Sequence, residues 1–324
     1  MIVVSCHLTW FVPHAPADYG LAGLGGTAAV LGFLVVSGYS IAHSLHQRPA
    51  GFYKRRLLRI YPLYVTSVIF SLLPFTTGAE AIRGPGFWIW RPQTWVVVGN
   101  LLMLQNLVVP PIESNVLVWT LGIEVICYLL TPLFRKLPDW PLLLLTGISA
   151  AAYAMFPHMN LPHYATLRFG LPLLLFAWAW LIGFLMHRHR RFILLGGIIA
   201  TSLGLGVMLL NTSYNTQYSL HTFAGSVLIV VVAGFISLPV RLGAVLNYLG
   251  DLSYPIYLFH LPSFLFAYCI MNANGPAALL LFAFGVSAAF LFVESTVKSS
   301  LARRSRAISS IKKLEKLGTA GTAT

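Results

Sequence analysis

Long apolar stretches recur along this 324-residue chain and constrain its fold more than any other feature. A transmembrane helix needs about 20 largely apolar residues. Eleven stretches are candidates: Met1–Phe11, Thr27–Leu45, Tyr61–Thr76, Thr94–Val109, Val116–Phe134, Trp140–Phe156, Phe169–His187, Phe192–Leu210, Tyr218–Leu238, Ser253–Met271 and Pro276–Val293. Only 9% of the residues are charged, against about a quarter in soluble domains, so lipid must cover most of the surface. The sequence predicts an all-α polytopic integral membrane protein.

The basic residues fall in blocks, and their positions test the number of spans. The blocks are Arg48/Lys54/Arg55/Arg56/Arg59, Arg135/Lys136, Arg188/Arg190/Arg191, Arg241, and the tail from Lys298 to Lys316. Cytoplasmic loops carry an excess of Lys and Arg. All five blocks share one side only if Thr94–Val109, which contains Asn100, Gln105 and Asn106, does not cross. We therefore expect about ten transmembrane helices plus a re-entrant or interfacial segment.

This topology predicts one membrane domain over residues 1–297 and a basic cytoplasmic tail over 298–324. Both termini would be cytoplasmic, in a multi-pass protein of the cell inner (cytoplasmic) membrane. The tail is compatible with an amphipathic helix on anionic lipid, and its last residues, GTAGTAT, are expected to be disordered. The opening stretch is half the length of a span, so we expect its first span to be truncated at the N-terminus.

Several function classes are disfavoured by the residues themselves. The net charge of +13 follows the loops between spans, so it indicates membrane topology and no nucleic-acid partner. Cys6, Cys127 and Cys269 lie in apolar stretches without metal-ligand spacing. The chain has no phosphate-binding P-loop, no Gly-x-Ser-x-Gly elbow and no His-Glu-x-x-His zinc pair. No metal and no permanently bound cofactor are expected.

Ionisable side chains within apolar stretches are costly and are functional candidates by default. His7 can be a general base, because only histidine has an unperturbed pKa near neutrality; its alternative role is a hydrogen bond between helices. Glu124 can orient the histidine or a substrate hydroxyl, or it can form a structural ion pair with an arginine.

Two further patterns point to binding. Arg55, Arg56 and Arg59 precede an apolar stretch, and guanidinium groups bind phosphates such as those of coenzyme A; a purely topogenic role is the alternative. Ser253, Tyr257 and His260 are spaced i, i+4, i+7 and form a polar stripe on one helix face. Such a stripe is typical of a cavity wall, or of a hydrogen-bonded helix interface.

Six segments in order resemble the acyltransferase-3 family of membrane O-acyltransferases. They are Val4-Ser-Cys-His7 with Trp10-Phe11, Gly32-Phe-Leu-Val-Val-Ser37-Gly38-Tyr39, Phe52 to Tyr64 (FYKRRLLRIYPLY), Trp119 to Pro132, Leu249 to His260, and Val293-Glu294. The resemblance covers nearly the whole chain. One departure lies at the start, where the family carries an arginine eleven positions before the histidine.

The resemblance implies a ten-helix core and transfer of an acyl group, acetyl by family habit, from acyl-CoA to a hydroxyl of a carbohydrate or other acceptor. The resemblance implies that His7 is the catalytic base and that Arg56 and Arg59 hold the donor. From their own positions in the sequence, we expect Glu124 to assist His7 and Arg55 to contribute to donor binding. The substrate cavity would involve Ser37, Trp119, Tyr128, Ser253, Tyr257 and His260. Membrane lipid, acyl-CoA and a glycan-like acceptor are the expected partners.

Two other functions are compatible with the sequence. A polytopic transporter of a small molecule or glycan precursor is the main competitor, although no matched pair of broken helices indicates inverted repeats. A catalytically inactive membrane scaffold is the third, and it would fit a true loss of the N-terminal arginine.

Overall fold

A computed structural model describes residues 1–12, 21–236 and 239–320, with side chains described up to residue 300. The described chain is 78% helical. Its helices are α1 (Ile2–Phe11), α2 (Gly26–Gln47), α3 (Phe52–Phe70), α4 (Thr94–Leu101), α5 (Val118–Lys136), α6 (Asp139–Met155), α7 (Leu171–Arg188), α8 (Ile193–Leu210), α9 (Ser219–Ala233), α10 (Val240–Ile270) and α11 (Pro276–Ala320). Short 3-10 turns join several of them.

The apolar stretches form helices because backbone polar groups have no water partner in lipid and must bond within the segment. Seven helical segments are long and apolar enough to cross a membrane: Gly26–Gln47, Phe52–Thr77, Val118–Lys136, Asp139–His158, Leu171–Arg188, Arg190–Leu210 and Pro276–Ser300. Helices α1 and α9 are apolar but shorter. The nearly all-α membrane fold agrees with the sequence analysis, and the count of ten spans stays a prediction.

Helix α10 is long but falls outside those seven segments. It carries the polar stripe of Ser253, Tyr257 and His260, which lowers its mean hydropathy. The end of the apolar stretch predicted before it, residues 237–238, lies outside the described residues.

The segment predicted not to cross contains only an eight-residue helix, α4, followed by an irregular loop. Such a helix rises about 12 Å, whereas the hydrocarbon layer is about 30 Å thick. Buried side-chain amides of this segment donate hydrogen bonds to backbone carbonyls. Asn100 donates to that of Pro110 at 2.9 Å, Gln105 to that of Val118 at 3.0 Å, and Asn106 to that of Leu167 at 3.0 Å. The re-entrant or interfacial placement of this segment stays a prediction.

A β-hairpin, absent from the sequence prediction, precedes α4. Strands β1 (Ala81–Gly84) and β2 (Phe87–Trp90) pair antiparallel, with Ile82 opposite Ile89. The turn between them is Pro85-Gly86. Turn residues between two short apolar segments are the available signal for such a hairpin.

Three of the basic blocks meet at one end of the bundle, called the basic end below. Arg188 at the end of α7 donates to the Leu137 carbonyl at 2.6 Å and pairs with Asp139 at 3.2 Å. Arg56 near the start of α3 lies over the ring of Tyr128 in α5. These contacts bring the α2–α3 turn, the α5–α6 turn and the α7–α8 turn to the same side of the molecule.

The tail is continuous with the last helix. Helix α11 runs without a break from Pro276 to Ala320, so the residues predicted as a separate tail from 298 continue it. Of the final residues predicted to be disordered, 318–320 are helical and 321–324 lie outside the described part of the chain. Contact of the tail with anionic lipid stays a prediction.

Helices α2 and α7 cross at two glycines that allow their backbones to touch. A Cβ atom on Gly38 would lie 2.0 Å from the Trp180 carbonyl oxygen, and one on Gly183 would lie 1.9 Å from that of Val35. Small residues at such crossings allow close helix packing in membranes. This contact packs α2 directly against α7.

Replacement Gly183→Ala should force the two helices apart, since the added methyl group meets backbone and not a movable side chain. We expect a destabilisation of about 1–3 kcal/mol, seen as a lower midpoint of thermal unfolding in detergent. The matched control is Gly147→Ala in α6, where nothing lies within 4 Å of an added Cβ. Equal midpoints for the two variants would contradict this account of the crossing.

Candidate functional site

A cavity of about 890 Å³ lies between α1, α2, α3, α5 and α10. It is called the central cavity below. Seven of the eleven residues predicted for the site line it: Ser37, Arg56, Arg59, Glu124, Tyr128, Ser253 and Tyr257. The remaining four, His7, Arg55, Trp119 and His260, are not among its lining residues.

A buried carboxylate forms one wall of the central cavity. Glu124 in α5 accepts a hydrogen bond at 2.8 Å from the hydroxyl of Ser37 in α2. It also accepts one from the hydroxyl of Tyr128, one turn further along α5. Within the described residues Glu124 forms no ion pair, so two hydroxyl donors take the place of the arginine considered from sequence. The network ties α2 to α5 beside the cavity.

Two guanidinium groups enter the same cavity from α3. Arg56 and Arg59 are three residues apart and therefore lie on neighbouring positions of one helix face. The guanidinium carbon of Arg56 is 5.8 Å from the ring centres of both Phe52 and Tyr128. Positive charge thus borders the Glu124 network at the basic end.

Arg55 has a different environment from its neighbour. Its guanidinium donates to the backbone carbonyls of Arg48 and Ala50 and so holds the α2–α3 turn. One residue corresponds to about 100° of helix rotation, which takes Arg55 away from the face of Arg56. Its predicted role in donor binding stays a prediction without a cavity contact to support it.

His7 lies one helical turn beyond the cavity wall. The cavity is lined by residues 1–4 of the chain, and the Nδ1 atom of His7 is 2.8 Å from the carbonyl oxygen of Val3. The same Nδ1 atom is 3.3 Å from Nε2 of His260 in α10, which is fully buried. Nδ1 of His260 in turn lies 2.9 Å from the Ile256 carbonyl.

These hydrogen bonds assign the tautomers of both imidazoles. A carbonyl oxygen only accepts, so Nδ1 carries the proton in each ring, an assignment made from the bonding pattern. Nε2 of neutral His260 is then an acceptor for the Nδ1–H of His7. Nε2 of neutral His7 carries a lone pair and has no hydrogen-bond partner among the described residues. That atom is free to accept a proton from a ligand.

The other two residues of the polar stripe differ in their partners, since Ser253 bonds within α10 and Tyr257 bonds to α5. Ser253 donates to the Gly250 carbonyl at 2.7 Å, and the Tyr257 hydroxyl is 2.6 Å from Oγ1 of Thr120. Trp119, although adjacent to Thr120, is buried in an aromatic cluster. Its ring centre lies 5.0 Å from that of Tyr164 and 4.9 Å from that of Phe176.

Sequence reasoning missed several lining residues. Ser40 lies three residues after Ser37, a spacing that already places it on the same face of α2. Tyr254 also lines the cavity, and its hydroxyl donates to the Ile60 carbonyl at 2.9 Å, which joins α10 to α3. Among the described residues no group of three or more His, Cys, Asp or Glu side chains is arranged to hold a metal.

Replacement Glu124→Ala should leave the hydroxyls of Ser37 and Tyr128 without their buried acceptor. We expect a loss of about 1–3 kcal/mol in the free energy of unfolding, measured by thermal denaturation in detergent. Glu80→Ala is the control, because that carboxylate is exposed and forms only a surface pair with Arg91. A control variant as unstable as Glu124→Ala would refute the structural importance of the network.

The model of a family described as "Acyltransferase domain" matches residues 1–294, nearly the entire chain. No curated protein and no solved structure matches this chain. The matched region includes every residue of the central cavity and the His7–His260 pair. The chain belongs to the acyltransferase-3 family.

Proposed function

We propose that this protein is a membrane O-acyltransferase that moves an acyl group, acetyl in the first instance, from acyl-CoA to a hydroxyl of a carbohydrate or other acceptor. Family membership supports acyl transfer. The observation that carries the finer assignment is the central cavity, which joins two guanidinium groups at the basic end to the helical turn preceding His7.

The donor is proposed to enter at the basic end. Arg56 and Arg59 present guanidinium groups, which bind phosphate oxygens through paired charge-assisted hydrogen bonds. The cavity volume of about 890 Å³ is within the usual range of small-molecule sites. Apolar side chains such as Phe33, Val36 and Ile256 line the way from these arginines towards α1. They suit the uncharged arm that carries a thioester.

His7 is proposed to be the general base. Its Nε2 lone pair takes the proton of the acceptor hydroxyl, and the resulting oxygen nucleophile attacks the thioester carbonyl. The carbon–sulfur bond breaks, and the departing thiolate recovers the proton from the imidazolium. During the charged interval the Nδ1–H of His7 remains bonded to the Val3 carbonyl and to His260.

Glu124 is proposed to act by position. It holds the hydroxyls of Ser37 and Tyr128 at the cavity wall, close to Arg56. A fixed carboxylate there keeps the arginine side chain oriented without forming a direct pair that would block phosphate. Acyl transfer by this scheme uses no metal and no redox group.

Variants at the two ends of the cavity should fail in different ways. We expect His7→Ala to lower kcat by on the order of 10²–10⁴-fold while acyl-CoA still binds. Arg56→Gln and Arg59→Gln should instead weaken acyl-CoA binding, since each removes a phosphate contact. Membranes from cells that make the protein are supplied with acetyl-labelled acetyl-CoA, and label transfer and thioester loss are followed.

The matched control is Lys54→Gln, which removes an exposed positive charge from the same segment without touching the central cavity. It should behave as the unmodified protein. Full transfer activity in His7→Ala would end the proposed chemistry, and unchanged acyl-CoA binding in both arginine variants would end the proposed donor site.

His260 should affect turnover but not donor affinity, because it contacts the base and not the central cavity. Loss of one hydrogen bond of about 0.5–1.5 kcal/mol corresponds to a decrease in kcat of about 2–10-fold in His260→Ala. The KM for acyl-CoA should stay constant, and His260→Gln, which retains an acceptor oxygen, should recover part of the rate. A change confined to KM would exclude this positioning role.

A further inference from the structure

A second cavity, of about 320 Å³, opens at the basic end. It lies between the C-terminal ends of α2, α5 and α7 and the turn that leads into α8, and it is called the basic pocket below. Four arginines line it: Arg135, Arg188, Arg190 and Arg191. Its other walls are mainly apolar or imidazole side chains.

The basic pocket is separate from the central cavity. The two cavities lie on opposite faces of α2: Ser37, Ser40 and Ile41 line the central cavity, whereas Ala42 and Leu45 line the basic pocket. No lining residue is shared between them. A ligand of the basic pocket would therefore not compete for the space proposed for the acyl donor.

The basic pocket carries more positive charge than the nearby carboxylate of Asp139 can balance. Asp139 pairs with Arg188 at 3.2 Å and with His189 at 3.0 Å. Arg135, Arg190 and Arg191 form no ion pair with any side chain in the described part of the chain. Like charges gathered around a concave site repel one another, and a bound anion would relieve that repulsion.

Topology alone accounts for cations at this end of the bundle, but not for their arrangement. The positive-inside rule and the negative C-terminal ends of helices both favour exposed arginines here. Neither requires them to surround a cavity. In this pocket the side chains of His187 and Phe184 are buried, and the four arginines also line it.

We propose that the basic pocket binds the phosphate group of an anionic ligand, independently of acyl transfer. Guanidinium groups match phosphate oxygens in geometry and charge. The source of the phosphate is either a lipid headgroup or a soluble phosphate compound. Exposed apolar side chains next to the pocket favour the lipid: Phe192 is 66% exposed, Leu194 62% and Leu195 56%. Basic pockets between membrane helices commonly hold anionic headgroups.

The test compares two double variants that each remove two positive charges from the basic end. Arg190→Gln/Arg191→Gln alters the basic pocket. Arg48→Gln/Lys54→Gln is the control, since both residues are exposed and line neither cavity. Purified full-length protein in neutral detergent is titrated with phosphatidylglycerol, with phosphatidylcholine, and separately with inorganic phosphate. Binding is followed by ligand-dependent thermal stabilisation and by native mass spectrometry.

We expect phosphatidylglycerol to bind at least about tenfold more weakly to the pocket variant, and less than about twofold more weakly to the control. Phosphatidylcholine should show no such difference. If only inorganic phosphate distinguishes the variants, the site is a phosphate site with a soluble ligand. Equal affinities of both double variants for both anions would overturn the proposal. Equal unfolding midpoints without ligand will show that both variants are folded.

Discussion

The close contact between the backbones of α2 and α7 determines which faces of α2 remain available to the rest of the molecule. Because Gly38 and Gly183 have no side chains, the carbonyl of Trp180 lies where a Cβ on Gly38 would be and that of Val35 where a Cβ on Gly183 would be. One face of α2 packs against α7 in this contact, and the opposite face borders the central cavity. The same helix ends beside the basic pocket, so one rigid element borders both candidate binding sites.

The pair of His7 and His260 shows how an apolar bundle can hold two imidazoles in defined orientations. Backbone carbonyls on the same helices select the tautomer of each imidazole that carries its proton on Nδ1. Residues four positions apart supply those carbonyls, Val3 for His7 and Ile256 for His260. The orientation of both imidazoles thus depends on ordinary helical periodicity.

Much of this arrangement could be predicted from the sequence. Composition alone predicts the helical membrane fold, and helical spacing places Arg56 beside Arg59 and Glu124 beside Tyr128. Contacts between distant elements could not be predicted, because periodicity gives a direction on a helix but not the neighbour in that direction. Hence Trp119 packs into an aromatic cluster, and the 3.3 Å contact of His7 with His260 joins residues 253 positions apart.

The β-hairpin packs against the helix that carries the proposed base, because its Ile82 and Ile89 side chains are buried in one cluster with Val4 and Leu8 of α1. The Gly86 amide donates to the Trp10 carbonyl at 2.9 Å, and a side chain at Gly86 would crowd that same backbone. Phe11, at the end of α1, also lies against Phe87 of the hairpin, with ring centres 4.6 Å apart. The hairpin is therefore held to the last turn of α1, and a change in its length would alter the packing of the helix on which His7 lies.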